Sequence, residues 1–403
     1  MKNFCSTVFL LLLTFWINAQ NKAVLILLDG VPADVVERVS TPNLDEIAKA
    51  GGYTTAHVGG LKDGYSETPT VSAPGYMNMI TGVWAHKHNV RDNAVKNPNY
   101  NYWNLFRIVK EVNPELKAAI FSTWEDNRTK LIGEGKESAG YIQLDYSFDG
   151  FEKDTSRFPH KSDRKYISDI DELVSNEAAR YIEAPGPDFS WVYLEFTDDM
   201  GHKYGDSPEL DEAMMKADAQ VGRIWEAIKK REKMGEEWMI VVTTDHGRSP
   251  ENGKNHGGQS DRERTTWMFT NQNDLNQSFQ RMPGIVDIMP SVLTHMDIEA
   301  PENIKAEIDG ISFVGDISFN HVTASYDSGK LLVKWNPINK RGMAELWVAD
   351  TNQFSEGGND TYQFLATEPV SEGKIILDLE STSGLYKILL KAPLNWGNTW
   401  LIK

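Results

Sequence analysis

The strongest constraint on the fold is a repeated alternation between short, wholly apolar segments and longer segments with helical spacing. An apolar run such as residues 23–28 (AVLILL) has no polar face, which is typical of a strand buried on both sides of a sheet. Similar runs occupy 117–122, 189–196 and 238–244, and helical patterns cover 41–48, 169–182 and 210–231. We therefore predict an α/β fold with a mostly parallel central sheet flanked by helices, from residue 22 to about residue 319.

The last part of the chain has a different pattern. Short apolar segments at 331–335, 344–348, 374–379 and 385–390 are separated by turn-rich stretches. This spacing predicts a small β-sandwich of roughly 80 residues, with a boundary near Asn320. We thus expect three regions, at 1–19, 20–319 and 320–403.

The first of these regions contains the only long apolar run, at residues 8–17, which follows the positive charge of Lys2. The run is too short to span a membrane, and Ala19 is a suitable cleavage point. We predict a signal peptide over 1–19 and a secreted or periplasmic protein; a buried N-terminal strand is the alternative. The sole cysteine, Cys5, lies in this segment, so we expect no thiolate metal ligand in the mature chain. Because the only long apolar run lies here too, we also expect no transmembrane segment in the mature chain.

The charge balance bears on possible partners. The chain has 41 Lys and Arg against 58 Asp and Glu, a formal net charge of −17. Because a protein that binds a nucleic-acid backbone needs a basic face, we expect no binding of a nucleic-acid duplex. A small phosphate ester remains a possible substrate, since bound cations can reverse the local charge.

Three of the predicted strands end in an aspartate. Asp29 follows the first run, Asp198 the third and Asp245 the fourth, and two of them have a histidine nearby, His202 and His246. Sites in parallel sheets form at the carboxyl ends of strands, and aspartate and neutral imidazole are ligands for zinc-like cations. The residues therefore predict a metal site at this edge of the sheet, although a single aspartate in such a place is often a helix cap.

The spacing of these residues suggests how they are shared between cations. Asp245 and His246 are adjacent, so their side chains would point to different sides of the strand end and could reach two cations. Asp198 and His202 are four residues apart across a glycine, and we expect a turn to bring them to one ion. His256 lies in a glycine-rich loop further on, where a surface histidine is the alternative to a ligand.

Ser72 is the candidate nucleophile. Pro74 favours the start of a helix that continues to Gly82, which places Ser72 at the helix N-terminus. The helix dipole and free N–H groups there favour a phosphoryl anion or a serine alkoxide, and a metal could lower the pKa of the hydroxyl further. The alternative is an N-cap serine without a chemical role.

Together these residues resemble a known family. Seven motifs occur in the order of that family, at 29–30 (DG), 72–74 (SAP), 80–82 (ITG), 88–93 (HNVRDN), 198–205 (DDMGHKYG), 245–247 (DHG) and 256–257 (HG). The set resembles the alkaline phosphatase superfamily, and within it the type I phosphodiesterase / nucleotide pyrophosphatase family, over about residues 22–318. The C-terminal region resembles a fibronectin type III-like accessory module.

The resemblance implies two divalent metal ions, most commonly zinc, and a phospho-serine intermediate. Ser72 would displace the leaving group in line, and water would then hydrolyse the intermediate. Asn93 would donate a hydrogen bond to a non-bridging phosphoryl oxygen. The implied ligands are Asp198, His202 and His256 for one ion, and Asp29, Ser72, Asp245 and His246 for the other.

The sequence also departs from the family pattern. Residues 72–76 read SAPGY where the diesterases usually have TFPNH, although serine keeps the hydroxyl. The Ser-x-Pro run is similar to that of sulfatases, but those need an arginine where Tyr76 stands, so we expect no formylglycine chemistry. Trp124 could form a platform for the leaving group of a diester, whereas Arg128 or Lys130 could bind the dianion of a monoester. Solvated loop charge is the alternative for both cations.

Three functions are thus compatible with the sequence. We expect a secreted two-metal hydrolase that cleaves phosphodiesters or nucleotide pyrophosphates. An alkaline phosphatase-type phosphomonoesterase is the first alternative. The second is an inactive secreted binding protein that contacts a glycan or a cell surface through its C-terminal region.

Overall fold

The computed structural model describes residues 21–379 and 383–402, so the predicted signal peptide lies outside the described residues. The strands and α-helices follow one another as β1 (Asn21–Leu28), α1 (Ala33–Arg38), α2 (Pro42–Ala50), β2 (Gly52–His57), α3 (Ser72–Thr81), α4 (Ala85–His88), α5 (Leu105–Val112), β3 (Ala118–Ser122), β4 (Tyr146–Phe148), α6 (Lys165–Glu183), β5 (Phe189–Leu194), α7 (Phe196–Tyr204), α8 (Pro208–Glu232), β6 (Glu237–Thr243), α9 (Asp261–Arg264), β7 (Thr265–Thr270), α10 (Ile288–His295), α11 (Glu302–Lys305), β8 (Phe319–Asp327), β9 (Lys330–Pro337), β10 (Met343–Ala349), β11 (Gln363–Pro369), β12 (Lys374–Asp378), β13 (Leu385–Lys391) and β14 (Trp396–Ile402).

The central sheet has seven strands in the order β2-β7-β6-β1-β5-β3-β4. Strands β6, β1, β5, β3 and β4 are parallel to one another, and β7 and β2 are added antiparallel at the β6 edge. The predicted α/β fold with a mostly parallel sheet is confirmed.

Both faces of this sheet are covered, which explains why its strands are apolar throughout. Along β1, Leu25 and Leu27 enter an apolar cluster that includes residues of α3, α5 and α10. Val24 and Ile26 point to the opposite side, into a cluster built with α2, α6 and α8. Because side chains alternate along a strand, burial on both sides requires apolar residues at every position.

The C-terminal strands form two antiparallel sheets, ordered β11-β10-β13-β14 and β12-β9-β8. They enclose an apolar cluster that includes Val333, Trp335, Leu346 and Ile388. The predicted C-terminal β-structure is therefore confirmed, and its first strand begins at Phe319. The division of the chain into separate domains remains a prediction.

The structure corrects one local expectation. We expected a turn to bring Asp198 and His202 together, but both lie on a helix. Strand β5 ends at Leu194, and α7 begins two residues later, at Phe196. Acidic residues in the first turn of a helix are stabilised by the helix dipole, and Asp198 and Asp199 both lie there. The short segment after β5 is consequently helical.

Candidate metal centre

The predicted site residues converge at the carboxyl ends of three neighbouring strands. Asp29 directly follows β1, and Asp245 follows β6 by two residues. Asp198 lies in the first turn of α7, just after β5. Ser72 is the first residue of α3, and His256 lies in the loop between β6 and α9. Strand ends that meet at one edge of the sheet account for this convergence.

Within the described residues, six side chains form two groups, each of which could hold a cation. In each group the offered ligand atoms lie within 4.8 Å of one another. The groups adjoin, because the rings of His246 and His256 stack with centroids 3.8 Å apart. Adjacent residues Asp245 and His246 belong to the same group, so the expectation that they reach two separate cations is wrong. The groups are Asp29, Asp245 and His246, and Asp198, His202 and His256.

The first group is fully buried and presents only acceptors. His246 Nδ1 lies 2.9 Å from the carbonyl oxygen of Gly247, so Nδ1 carries the proton and Nε2 offers its lone pair. That lone pair faces Asp245 Oδ2 at 3.2 Å and Asp29 Oδ1 at 3.6 Å. Neither carboxylate oxygen has a hydrogen-bond partner among the described residues. Two carboxylate oxygens without partners and an imidazole lone pair that face one another are a donor set that fits a divalent cation.

The pKa values in this group follow from burial and like charge. Burial raises the pKa of Asp29 well above its ordinary value of 3.8, and the Asp245 carboxylate raises it further. Burial likewise raises the pKa of Asp245 to about 7. Burial lowers the pKa of His246, which keeps its imidazole neutral. Without a cation, no positive charge in this group balances two ionised carboxylates, so their protonated forms are favoured.

The second group is partly open to solvent and is built on a helix. Asp198 and His202 are four residues apart on α7, a spacing that places them on one helical face, and His202 Nε2 lies 3.2 Å from Asp198 Oδ2. His256 Nδ1 lies 3.0 Å from the carbonyl oxygen of Thr70, which turns its Nε2 lone pair toward His202 Nε2 at 3.1 Å. The hydrogen bond to Asp198 raises the pKa of His202. A proton on His202 holds this group together, and a cation could replace that proton.

Ser72 lies beside the first group. Its side chain is buried, and its Oγ is 3.5 Å from His246 Nε2. Asn93 lies in the loop between α4 and α5, and this loop reaches the start of α3. There the Oδ1 of Asn93 accepts a hydrogen bond of 2.9 Å from the amide of Ala73. Its Nδ2 donates to no residue that the structure describes. The structure thus places the predicted nucleophile, the predicted amide donor and the first group next to one another.

Two tyrosines orient Asp29, and sequence reasoning did not find them. The hydroxyls of Tyr76 and Tyr193 both donate to Asp29 Oδ2, which leaves Oδ1 turned toward His246. Tyr76 stands where a sulfatase would need arginine, and its position in the SAPGY motif gave the only sequence signal. Hydrogen bonds of this kind fix the orientation of metal-ligating carboxylates.

Arg248 is a second residue that the sequence did not reveal. It is fully buried, and its guanidinium donates to the side chain and the carbonyl oxygen of Asp198. Further bonds reach the carbonyl oxygens of Gly30, at 2.8 Å, and of Gly253 and Lys254. Although burial opposes it, the guanidinium holds the pKa of Asp198 well below its ordinary value. Arg248 thus donates to Oδ1 of Asp198, whereas Oδ2 faces His202 Nε2.

Trp124 and Arg128 have different surroundings. Trp124 is half-buried and meets Tyr76 edge-on, with ring centroids 6.2 Å apart. Arg128 is engaged by carboxylates: Nε and Nη2 donate to Asp149 at 2.6 and 2.9 Å, and Nη1 donates to Glu134 at 2.8 Å. These ion pairs neutralise the guanidinium, so the geometry gives no support to the prediction that Arg128 binds phosphate.

Comparison with known proteins gives a family match over most of the chain. Residues 23–332 match the model of the type I phosphodiesterase / nucleotide pyrophosphatase family. A human relative, ectonucleotide pyrophosphatase/phosphodiesterase family member 7, is 26% identical over 246 residues, which cover 57% of this chain and 48% of the relative. Human family member 5 is 24% identical over 238 residues, 57% of this chain and 45% of the relative. The chain therefore spans about half the length of the curated relatives it matches.

Solved structures are similar in fold. Human ectonucleotide pyrophosphatase / phosphodiesterase 5 superimposes with a TM-score of 0.51 at 14% identity, covering 70% of this chain and 96% of that one. A putative sulfatase from Bacteroides thetaiotaomicron gives a TM-score of 0.52 at 14% identity, covering 86% and 85%. At such low identity these likenesses concern the fold alone.

Proposed function

Because the chain belongs to the type I phosphodiesterase / nucleotide pyrophosphatase family, we propose that it hydrolyses phosphodiesters or nucleotide pyrophosphates with Ser72 as the nucleophile. The observation that carries the proposal is the convergence of six carboxylate and imidazole groups beside the Ser72 hydroxyl, which lies 3.5 Å from His246 Nε2.

Two divalent cations are part of the proposal. Their ligands are the two groups described above, with Ser72 contacting the cation of the first group. Mixed imidazole and carboxylate donors suit zinc. When bound, the cations neutralise charge on the phosphoryl group and acidify the Ser72 hydroxyl.

The chemistry at Ser72 has two steps. Its Oγ attacks phosphorus in line with the leaving oxygen, so that an Oγ–P bond forms while the P–O bond to the leaving group breaks. The Oγ proton passes, overall, to the leaving oxygen. Water then attacks the phospho-serine, breaks the Oγ–P bond, restores the hydroxyl and releases a phosphate monoester.

Asn93 and the start of α3 stabilise the charge that develops during both steps. The Asn93 side chain is held by the amide of Ala73 through Oδ1, which leaves Nδ2 to donate to a non-bridging phosphoryl oxygen. The dipole of α3 adds positive potential at the same place. Asn93 therefore acts as a phosphoryl-binding residue.

A diester fits the surroundings better than a monoester dianion. Arg128 and Lys130, the two cations that could bind a monoester dianion, are both ion-paired, Arg128 to Asp149 and Glu134 and Lys130 to Asp126. Trp124 offers an aromatic edge close to Tyr76, where the second ester group of a diester can pack. We therefore rank diester cleavage above monoester cleavage and keep Trp124 as the platform for the leaving group.

Localisation and partners are also part of the proposal. Among the described residues no helix is both long and apolar enough to cross a bilayer. With the signal peptide proposed for residues 1–19, the protein is secreted or periplasmic, and its partner is a small phosphate ester rather than a nucleic-acid duplex. Contact with a glycan or a cell surface through the C-terminal sheets belongs to the alternative of an inactive binding protein.

The test compares hydrolysis of bis(p-nitrophenyl) phosphate and p-nitrophenyl phosphate by the wild type and Ser72→Ala. We expect higher kcat/KM on the diester and a loss of at least about 10³-fold in Ser72→Ala, because the nucleophile is removed. Ser162→Ala, at an exposed loop serine, is the matched control and should keep full activity.

Two results would redirect the assignment. A large preference for the monoester would favour an alkaline phosphatase-type activity. Equal rates for Ser72→Ala and the wild type, in a protein that holds no stoichiometric metal, would favour the inactive binding protein.

A further inference from the structure

The loop that carries Asn93 joins α4 to α5 and closes on itself at its base. The amide of Asn99 donates to the carbonyl oxygen of His88 at 2.8 Å, and Asn89 Nδ2 donates to the carbonyl oxygen of Asn97 at 2.9 Å. Residues 90–98 therefore project as one unit whose placement depends on where the base is held.

The C-terminal region holds this base on one side. Asn99 Nδ2 and Asn101 Nδ2 both donate to the carbonyl oxygen of Ser355, at 2.8 and 3.0 Å. Two residues of the loop thus share one acceptor on the segment between β10 and β11. The rings of Tyr102 and Phe354 pack beside this point with centroids 5.1 Å apart.

The other side of the base is held by a buried lysine. Lys87 precedes the loop on α4, is 1% exposed, and donates to the carbonyl oxygen of Glu307, to Asp309 and to Asn398 Oδ1 on β14. Lys387 on β13 pairs with the Glu307 carboxylate. A buried lysine is costly unless its partners are fixed, so this network locks α4 to the C-terminal sheets.

We propose that the C-terminal sheets position the loop that presents Asn93 to the substrate, with Asn99 and Asn101 as positioning residues. The proposal rests on the role given to Asn93 under the proposed function. It assigns the C-terminal sheets a part in catalysis instead of, or in addition to, contact with a partner. The ordinary alternative is that these bonds only stabilise the junction.

A double-mutant cycle separates the two possibilities. We expect Asn99→Ala/Asn101→Ala to lower kcat on bis(p-nitrophenyl) phosphate about tenfold with KM within about twofold, because a misplaced donor loses contact mainly in the transition state. In an Asn93→Ala background the same pair of substitutions should cost less than about twofold, since the residue through which they act is gone.

Asn303→Ala is the matched control. Asn303 Nδ2 donates to Asn359 Oδ1 at 3.3 Å at an exposed place in the same junction. Among the described residues no hydrogen bond joins either side chain to the Asn93 loop, so the kcat of this variant should stay unchanged. Should the double variant fail to fold, Asn101→Ala alone keeps the Asn99 bond and should give a smaller loss in the same direction.

An equal loss of kcat in both backgrounds, or none in the wild-type background, would overturn the proposal and leave the proposed function standing. Full activity of Asn93→Ala would overturn both the positioning proposal and the role of Asn93. Loss of activity in Ser72→Ala would still support the nucleophile in that case.

Discussion

Arg248 shows how one side chain can organise several loops. Its guanidinium bonds to Asp198 and to carbonyl oxygens of the loops that carry Asp29 and His256, and it lies two residues from His246. It therefore links both groups of the proposed metal centre. Its positive charge also offsets the Asp198 carboxylate, so we expect the Asp198 group to bind a cation less tightly than the group with two unpaired aspartates.

The space that the Arg248 guanidinium occupies depends on the absence of a side chain at Gly201. A Cβ atom at Gly201 on α7 would lie 2.1 Å from Arg248 Cζ. Although Gly to Ala inside a helix normally stabilises it, Gly201→Ala should lower the free energy of unfolding by about 1–3 kcal/mol through overpacking. It should also weaken cation binding at the Asp198 group about tenfold.

Thermal unfolding and a zinc titration of the metal-free protein check both effects. Gly384→Ala is the control, because a Cβ atom there would meet none of the described atoms within 4 Å. A Gly201→Ala protein that is as stable as the wild type and binds zinc equally well would show that Arg248 has no such positioning role.

At the scale of helices and strands, the sequence predicted four of the buried strands of the central sheet but missed β7, which is also buried on both faces. Strands β1, β3, β5 and β6 were found because burial on both sides leaves an uninterrupted apolar run. Strand β2 (GYTTAH) is half-buried and β4 has three residues, so neither has a pattern that distinguishes it from a loop. Pairing at a sheet edge is decided by contacts with distant segments, which a local pattern does not contain.

The site follows the same rule. Five of the six proposed ligands could be predicted because they follow apolar runs that end at the same edge of the sheet. His256 lies in a loop well after β6, and only the resemblance to the family pointed to it. Arg248 could not, because its burial is created by Gly201 and by carbonyl oxygens from other loops. Arg128 was selected for its charge, and its pairing with Asp149, 21 residues away, was not visible in the sequence.

At the scale of the whole molecule, the proposed cations should make stability depend on pH. Asp245 has a pKa of about 7 in the folded, metal-free protein against an ordinary value of 3.8. Between these values the folded state holds more protons than the unfolded state, so this contribution to stability is lost as pH rises. A bound cation removes the proton and the penalty. The stabilisation by zinc should therefore grow from pH 5 to pH 8.

Melting temperatures with zinc and with EDTA at both pH values measure this effect. At each pH, the melting temperature with zinc minus that with EDTA removes the contribution of groups away from the metal centre, because these groups titrate equally in both samples. In Asp245→Asn the difference should depend less on pH, and protons on Asp29 and His202 should account for the dependence that remains. A wild-type difference that is the same at pH 5 and pH 8 would contradict the proposed exchange of protons for cations.

The most direct test of the account is the zinc content of the purified protein, reconstituted and dialysed, measured by plasma mass spectrometry beside Asp245→Ala. We predict two ions per chain in the wild type. The variant should stay folded, hold about one ion, and lose at least about 10³-fold of its activity, because a true ligand supplies several kcal/mol of transition-state stabilisation. A wild type without bound metal, or a variant that keeps two ions and activity within about threefold of the wild type, would contradict the account.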